Sequence, residues 1–362
     1  MKQFIRFPFS LYKNDPRWVP PLIRGEFDTL DPKVNPAYEH CDTLFLMAYR
    51  DGFAAGRIAG IINHRYIEQW NRKDARFCWF DVINDLEVTR ALFNAVEQWA
   101  VEQGMQRMVG PMGFTTFERQ GMLVSGFDEQ PTFSGCYNFP YYPEHMKTLG
   151  FLEETSYVEY ELTVPREVPS KIVRISDLVK ERYGLRIPEA SSTRDLLPYA
   201  DEVFRVINAA YKPLYGFTEL TDKQVRYFVK KYFSYIKPEY VSIVLDREDR
   251  VLGFQISLPS LSDALRKARG RLFPWGWLYL KRAMQKADRI DTLLTGVLPE
   301  YQKKGINAVF MTHLTQAAIH GGMQHAESNG ELAENIKVQH TWRYFERRQH
   351  RSSRLYARDI HA

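Results

Sequence analysis

One stretch, Asp291–Gly322 (DTLLTGVLPEYQKKGINAVFMTHLTQAAIHGG), constrains the fold more than any other. Its apolar, threonine-rich start, Asp291–Leu298, predicts a strand that Pro299 stops. Ile306, Val309/Phe310, Leu314 and Ala317/Ala318 then recur at helical spacing, and Gly321-Gly322 closes the helix. Between strand and helix lies the turn Gln302-Lys303-Lys304-Gly305-Ile306-Asn307. A helix start exposes free N–H groups and a partial positive charge, Gly305 lets the backbone come close to a ligand, and two lysines add full charges. Such a turn suits a phosphate or pyrophosphate. It equally suits an ordinary connection with a solvated basic turn.

The rest of the chain repeats this plan. Thr43–Arg50 and Phe53–Ile62 read as strands joined at Asp51-Gly52, a strong hairpin signal. Phe77–Ile83 is a strand and Asn84–Gln103 a helix, with Asn84 and Glu87 spaced as a capping box. Gly104 ends that helix, the strand Met105–Val109 follows, and a second helix before Gly150 leads to the strand Ser156–Val164. In the second half, helices Leu196–Ala210 and Thr221–Tyr235 precede a hairpin, Tyr240–Leu245 with Val251–Pro259. The signature stretch, a strand His325–Glu327, a helix Leu332–Phe345 and a strand Arg351–Ala357 complete it. The two halves are offset by roughly two hundred residues. A chain of 362 residues has room for two cored domains. The expected division is 1–165 and 176–362, with a linker near Val164–Ser176 and a proline-punctuated segment, Leu11–Pro36, wrapping the first domain.

The turn Gln302–Asn307 resembles the pyrophosphate loop of the GNAT superfamily of acyl-CoA-dependent N-acyltransferases: Gln302 and Gly305 match, and Asn307 departs at the last position. Gly110-Pro111, Gly121-Met122-Leu123-Val124, Gly126-Phe127 and Asn138-Phe139-Pro140-Tyr141-Tyr142 resemble a bacterial group of tandem GNAT-like proteins, as do Trp18-Val19-Pro20-Pro21, Gly56-Arg57-Ile58 and Arg354-Leu355-Tyr356. The resemblance implies two tandem α/β domains, each a mixed, mostly antiparallel sheet flanked by helices. It implies acetyl-CoA or another acyl-CoA as co-substrate, bound by Gly296, Val297, Leu298, Gln302, Lys303, Lys304, Gly305, Ile306, Asn307 and Asn335, with a strand bulge near Gly296. It also implies direct attack of a small-molecule or peptide amine on the thioester. The matching junction in the first half, Ile83–Glu87, is acidic and lacks glycine, so carboxylates there would repel a pyrophosphate.

Acyl transfer needs a base for the ammonium and an acid for the leaving thiolate. Glu327, on the strand beside the signature strand, is the candidate base, with a solvated or ion-paired carboxylate as the ordinary alternative; His325 is a weaker candidate of the same kind. The family's acid, a tyrosine four residues before Gly-Phe, is replaced by Met146 in the first half, and the nearest equivalent in the second is Tyr344. Asp291 reads as a functional carboxylate or an ordinary surface charge. An acyl-CoA-binding scaffold without chemistry is the alternative to an enzyme.

A formal charge of +5 fits an anionic ligand and is too small to argue for nucleic acid, and six arginines in Arg343–Arg358 read as a solvated face. Three cysteines without CxxC spacing point to neither a disulfide framework nor zinc, His313 and His320 stand seven apart, and no metal is expected. No GxSxG elbow marks a covalent nucleophile. The broken apolar start and the lack of a long apolar run predict a soluble, cytoplasmic protein. Leu265–Lys286 mixes basic and aromatic residues. That composition fits a membrane surface or an acyl-chain site; it fits better a helical insertion covering the cleft with its aromatics packed inside.

Overall fold

The computed structural model describes residues 1–360, apart from the side chains at 337 and 338. Its first half begins with helices α1 (Lys2–Leu11) and α2 (Ile23–Thr29) and the hairpin β1 (Cys41–Arg50) and β2 (Phe53–Asn63). The hairpin turns at Asp51 and Gly52 with φ of 52° and 81°, the left-handed pair that a two-residue turn requires. Helix α3 (His64–Trp70), strand β3 (Asp74–Val82), helix α4 (Leu86–Glu102), strands β4 (Arg107–Gly110) and β5 (Met122–Ser125), helix α5 (Tyr141–Thr148) and strand β6 (Leu152–Thr163) follow. Asp85, rather than Asn84, caps α4: its side chain accepts from the N–H groups of Glu87 and Val88.

The second half opens with helices α6 (Ser170–Tyr183), α7 (Ala200–Tyr211) and α8 (Asp222–Tyr232) and the hairpin β7 (Val241–Leu245) and β8 (Val251–Pro259). Helices α9 (Ser262–Ala268) and α10 (Gly276–Lys286) form an insertion before β9 (Arg289–Val297) and α11 (Ile306–His320). Strands β10 (His325–Ser328) and β11 (Glu331–Leu332), helix α12 (Ile336–Gln339) and strand β12 (Arg347–Asp359) complete the chain. The helix expected over Leu332–Phe345 is thus broken: Leu332 pairs with Tyr157 of β6, and a 3-10 turn, His340–Tyr344, follows α12. Its residues serve a strand edge and a cluster in which Trp342 packs with Ile172 and Met311.

All strands join one mostly antiparallel sheet ordered β1-β2-β3-β4-β12-β6-β10-β9-β8-β7, with β5 on β12 and β11 on β6 as side pairs. The final strand is exchanged. β12 comes last in the chain yet lies between β4 and β6 of the first half, and β6 in turn borders β10 of the second. A division at 165–176 therefore cuts neither the sheet nor the cores cleanly: Tyr356 and Ile360 pack in the core of the first half, and Phe117 packs against that of the second. One core gathers Phe77, Phe93 and Met146, and the other Val206, Ile207, Phe254, Val309 and Phe310. At the exchange, the buried Arg351 guanidinium of β12 meets Glu159 of β6 at 3.0 Å and also donates to the carbonyls of Glu129 and Cys136.

Candidate active site

The sheet has two parallel pairs, β3–β4 and β9–β10, and each parts company in the same way. β9 and β10 pair from Arg289 and His325 as far as Thr292 and Ser328, and β3 and β4 from Asp74 and Arg107 as far as Arg76 and Val109. Just beyond, each strand loses register with its other neighbour. Leu293 is the extra residue opposite Ile256/Ser257, and Trp79 and Phe80 stand opposite Ile58. Trp79 has a φ of 44°, which a bulge accommodates. The bulge expected at Gly296 thus falls at Leu293. Gly296 pairs in register with Phe254, and a Cβ there would come within 2.7 Å of the Phe254 ring, so the glycine makes room for that ring.

Both gaps open into one cavity of about 1190 Å³. Cys78–Asp81, Pro111 and Gly113 line it from the first gap, and Leu293, Leu294, Asn329 and Gly330 from the second. Trp18, Pro21 and Leu22 of the opening segment, Val203 and Phe204 of α7, and Phe228 and Tyr232 of α8 close it. Ile256 and Leu258 of β8 and Leu261, Leu265, Leu272 and Leu280 of the insertion supply further apolar wall.

Few carboxylates reach this cavity, and most are already engaged. Asp81 takes Arg57 Nε at 2.7 Å and the Tyr12 hydroxyl at 3.0 Å. Glu159 is held by Arg351, and Glu26 accepts from Trp79 Nε1 at 2.8 Å. Glu118 differs. Its Oε2 accepts from Thr115 N at 2.6 Å and Thr115 Oγ1 at 2.8 Å, while Oε1 has no hydrogen-bond partner among the described residues. Burial raises the Glu118 pKa, opposed by the charge of Lys231 and the Thr115 hydrogen bonds. Lys231 donates to Thr29 Oγ1 and Tyr227 OH. Burial disfavours its charge, but Tyr232, Tyr227 and Glu118 outweigh burial and hold its pKa above the usual value. Gly113 leaves space for the carboxylate, since a Cβ there would lie 3.0 Å from Glu118 Cβ. Sequence reading passed over Glu118. It stands in Thr115-Thr116-Phe117-Glu118, between Gly110-Pro111 and Gly121-Met122, and that placement was the available signal.

The expected catalytic residues lie elsewhere. Glu327 is buried in an ion pair with Arg289, which also meets Glu161, and neither Glu327 nor Tyr344 lines the cavity. Tyr344 instead packs under the cations of Lys171 and Arg343. His325 is half-buried in β10. Asp291 is no surface charge: it is fully buried, and burial pushes its pKa up to about 7 against weak opposing pulls from Ser260 and Arg289.

The turn Gln302–Asn307 has the geometry of an anion site. Gly305 adopts a φ of 87° directly before α11, and no side chain caps that helix. Gln302, Lys303, Lys304 and Asn307 are exposed, while Ile306 is buried. By contrast the start of α4 is already occupied by the Asp85 carboxylate, itself paired with Arg50 at 2.6 Å. Gln302 Nε2 folds back onto the Val297 carbonyl, and Lys304 lies over the Tyr301 ring at 4.4 Å. Asn335 sits half-buried before α12. β9 continues three residues past the cavity-lining Leu294, about 10 Å of strand, and the turn follows at Gln302 after a 3-10 turn over Pro299–Tyr301. Among the described residues no cluster of His, Cys, Asp or Glu could hold a metal ion, and no helix is long and apolar enough to cross a membrane.

No family model matches the chain. Protein YghO of Escherichia coli is 27% identical over 321 residues, covering 88% of this chain and 81% of that protein. The bacterial ceramide synthase of Caulobacter vibrioides is 27% identical over 312 residues, covering 83% and 79%. Among solved structures, a tandem GNAT protein from the clavulanic acid biosynthesis pathway superposes with a TM-score of 0.55 at 12% identity, covering 99% of this chain and 94% of that one. A glucosamine N-acetyltransferase region of a fungal multi-domain β-N-acetylglucosaminidase gives 0.56 at 13% identity, covering 98% of this chain and 37% of that larger one. The fold is that of a tandem GNAT protein.

Proposed function

We propose that the protein transfers the acyl group of an acyl-CoA to the amine of a long-chain amphiphile, and that the two meet in the central cavity. The observation that carries this reading is the cavity: about 1190 Å³, largely apolar, and reached by both strand gaps. Small-molecule sites commonly span about 300–1,000 Å³. An acetyl group and a polar amine need far less apolar volume than this; two hydrocarbon chains would use it. The tandem GNAT fold supports acyl transfer. The relative named a ceramide synthase supports a long-chain amine, since a ceramide is an N-acylated long-chain amino alcohol.

In this reading the second half holds the co-substrate. The uncapped start of α11, with Gln302, Lys303, Lys304, Gly305, Ile306 and Asn307, takes the pyrophosphate, because free N–H groups and two cations converge there. The co-substrate's arm follows Gly296, Val297 and Leu298 down the gap beside β9, with Asn335 flanking it, and its thioester supplies the activated carbonyl. The amine nitrogen attacks that carbonyl, the C–N bond forms and the C–S bond breaks. Glu118 Oε1 takes one proton from the ammonium to free the attacking amine, and the second proton, lost from the nitrogen as the adduct collapses, passes through water to the thiolate. A cavity-lining carboxylate whose pKa is raised by burial, and whose Oε1 has no partner among the described residues, suits this work better than the ion-paired Glu327, which does not line the cavity.

The test is mass spectrometry of reactions containing a long-chain acyl-CoA and primary amines of increasing chain length. An amide whose yield rises with the chain length of the amine is expected. No amide with any amine, despite bound acyl-CoA, would sink the reading and leave a binding protein.

A further inference from the structure

The insertion α9–α10 has two unlike sides. Leu261, Leu265, Leu272 and Leu280 face inward and line the cavity. The other side and the connecting turn carry Phe273, Trp275 and Trp277, which are 78%, 65% and 45% exposed. The aromatics expected to pack inside therefore point outward. Large rings do not stay in water without a use for them when they form a contiguous group.

Charge frames the same surface. Lys267, Arg269, Arg271, Lys281, Arg282 and Lys286 are all exposed, and no acidic residue occurs between Ala264 and Ala287. These six positive charges have no carboxylate within the same stretch to offset them, unlike Arg343–Arg358, which contains Glu346 and whose Arg348 and Arg351 are paired with carboxylates. Basic residues around exposed indole rings fit an interface in which rings enter the headgroup layer and cations meet lipid phosphates. A protein partner would match the apolar rings but gives no reason for the unbroken run of cations.

We propose that Lys267–Lys286 docks the protein on an anionic lipid bilayer, with Phe273, Trp275 and Trp277 entering the interface and the surrounding lysines and arginines contacting phosphates. Leu272 lines the cavity and its neighbour Phe273 meets solvent, so the docked insertion is a thin wall between bilayer and cavity. A lipid-embedded substrate would then have a short path inward. Docking itself does not depend on acyl transfer.

The full chain is tested by sedimentation with phosphatidylcholine vesicles, with and without phosphatidylglycerol, at low salt. Intrinsic fluorescence is followed in parallel, since Trp275 and Trp277 are two of the chain's seven tryptophans. The expected results are binding only to the anionic vesicles, a blue shift on binding, and loss of binding on adding salt. Phe273→Ser/Trp275→Ser/Trp277→Ser is expected to abolish the shift, and Lys281→Glu/Arg282→Glu to weaken partition by about tenfold or more. All five positions are exposed, so both variants are expected to melt like the parent. The proposal is overturned if the parent does not bind anionic vesicles or if both variants bind as the parent does. It is also overturned if the aromatic variant merely dissociates a dimer that never binds lipid.

Discussion

Thr115 and Glu118 form a closed unit at the cavity wall, in which one carboxylate oxygen accepts from both the Thr115 N–H and its hydroxyl, at 2.6 and 2.8 Å. The unit fixes the carboxylate and leaves the other oxygen for a proton. Glu118→Gln keeps the shape and the hydrogen-bond acceptor but removes the base. The expected loss in kcat is about 10²–10⁴-fold, with acyl-CoA affinity unchanged and folding intact. Because burial raises the Glu118 pKa, the acid limb of the parent's pH–rate profile should lie above the ordinary carboxylate range. A profile that keeps this limb in the Gln variant would assign it to another group.

Glu327→Gln separates structure from chemistry. The substitution removes the buried partner of Arg289, which is 35% exposed and keeps its second contact to Glu161. The cost should be roughly 1–3 kcal/mol, below that of breaking a fully buried pair. A lowered Tm with undiminished kcat per folded molecule is expected. A large kcat loss at unchanged stability would return Glu327 to the chemistry.

Asp291 gives the fold a dependence on pH. Its folded pKa, pushed to about 7, lies above the ordinary unfolded value. The folded state therefore binds the proton more tightly: the stabilisation is complete below the unfolded pKa and fades as pH rises through about 7. Asp291→Asn should leave Tm nearly unchanged at acid pH and raise it relative to the parent above neutrality. Parallel Tm curves for the two proteins from pH 5 to pH 9 would contradict this.

The turn before α11 is tested by charge. Lys303→Glu/Lys304→Glu should weaken acyl-CoA binding on the order of tenfold or more at low salt and flatten its salt dependence. Isothermal titration calorimetry measures both. Unchanged affinity would remove the pyrophosphate from this helix start.

Much of the fold was legible because its signals are local. The Asp51-Gly52 turn, the helical spacing of Ile306–Ala318 and the glycine before α11 each act within a few residues, and all appear as read. The exchange of β12 was hidden, because Arg351–Ala357 reads as a strand whichever neighbour it finds; the neighbour is set by contacts such as Arg351–Glu159 across the sheet. The bulge moved from Gly296 to Leu293 because a glycine can also serve a close approach, here of the Phe254 ring. Glu118 was hidden for a related reason. A carboxylate in a loop looks solvated until the walls from α8 and the opening segment enclose it.

The most direct test of the central claim is photolabelling with a long-chain acyl-CoA carrying a diazirine at the end of its chain, followed by peptide mapping. Labels on the peptides that carry Trp79, Phe80, Leu258 or Leu293 are predicted, with Leu293→Trp reducing the total yield by filling the cavity. Labels confined to the surface of α6 or α11, unaffected by Leu293→Trp, would contradict the account by placing the acyl chain outside the cavity.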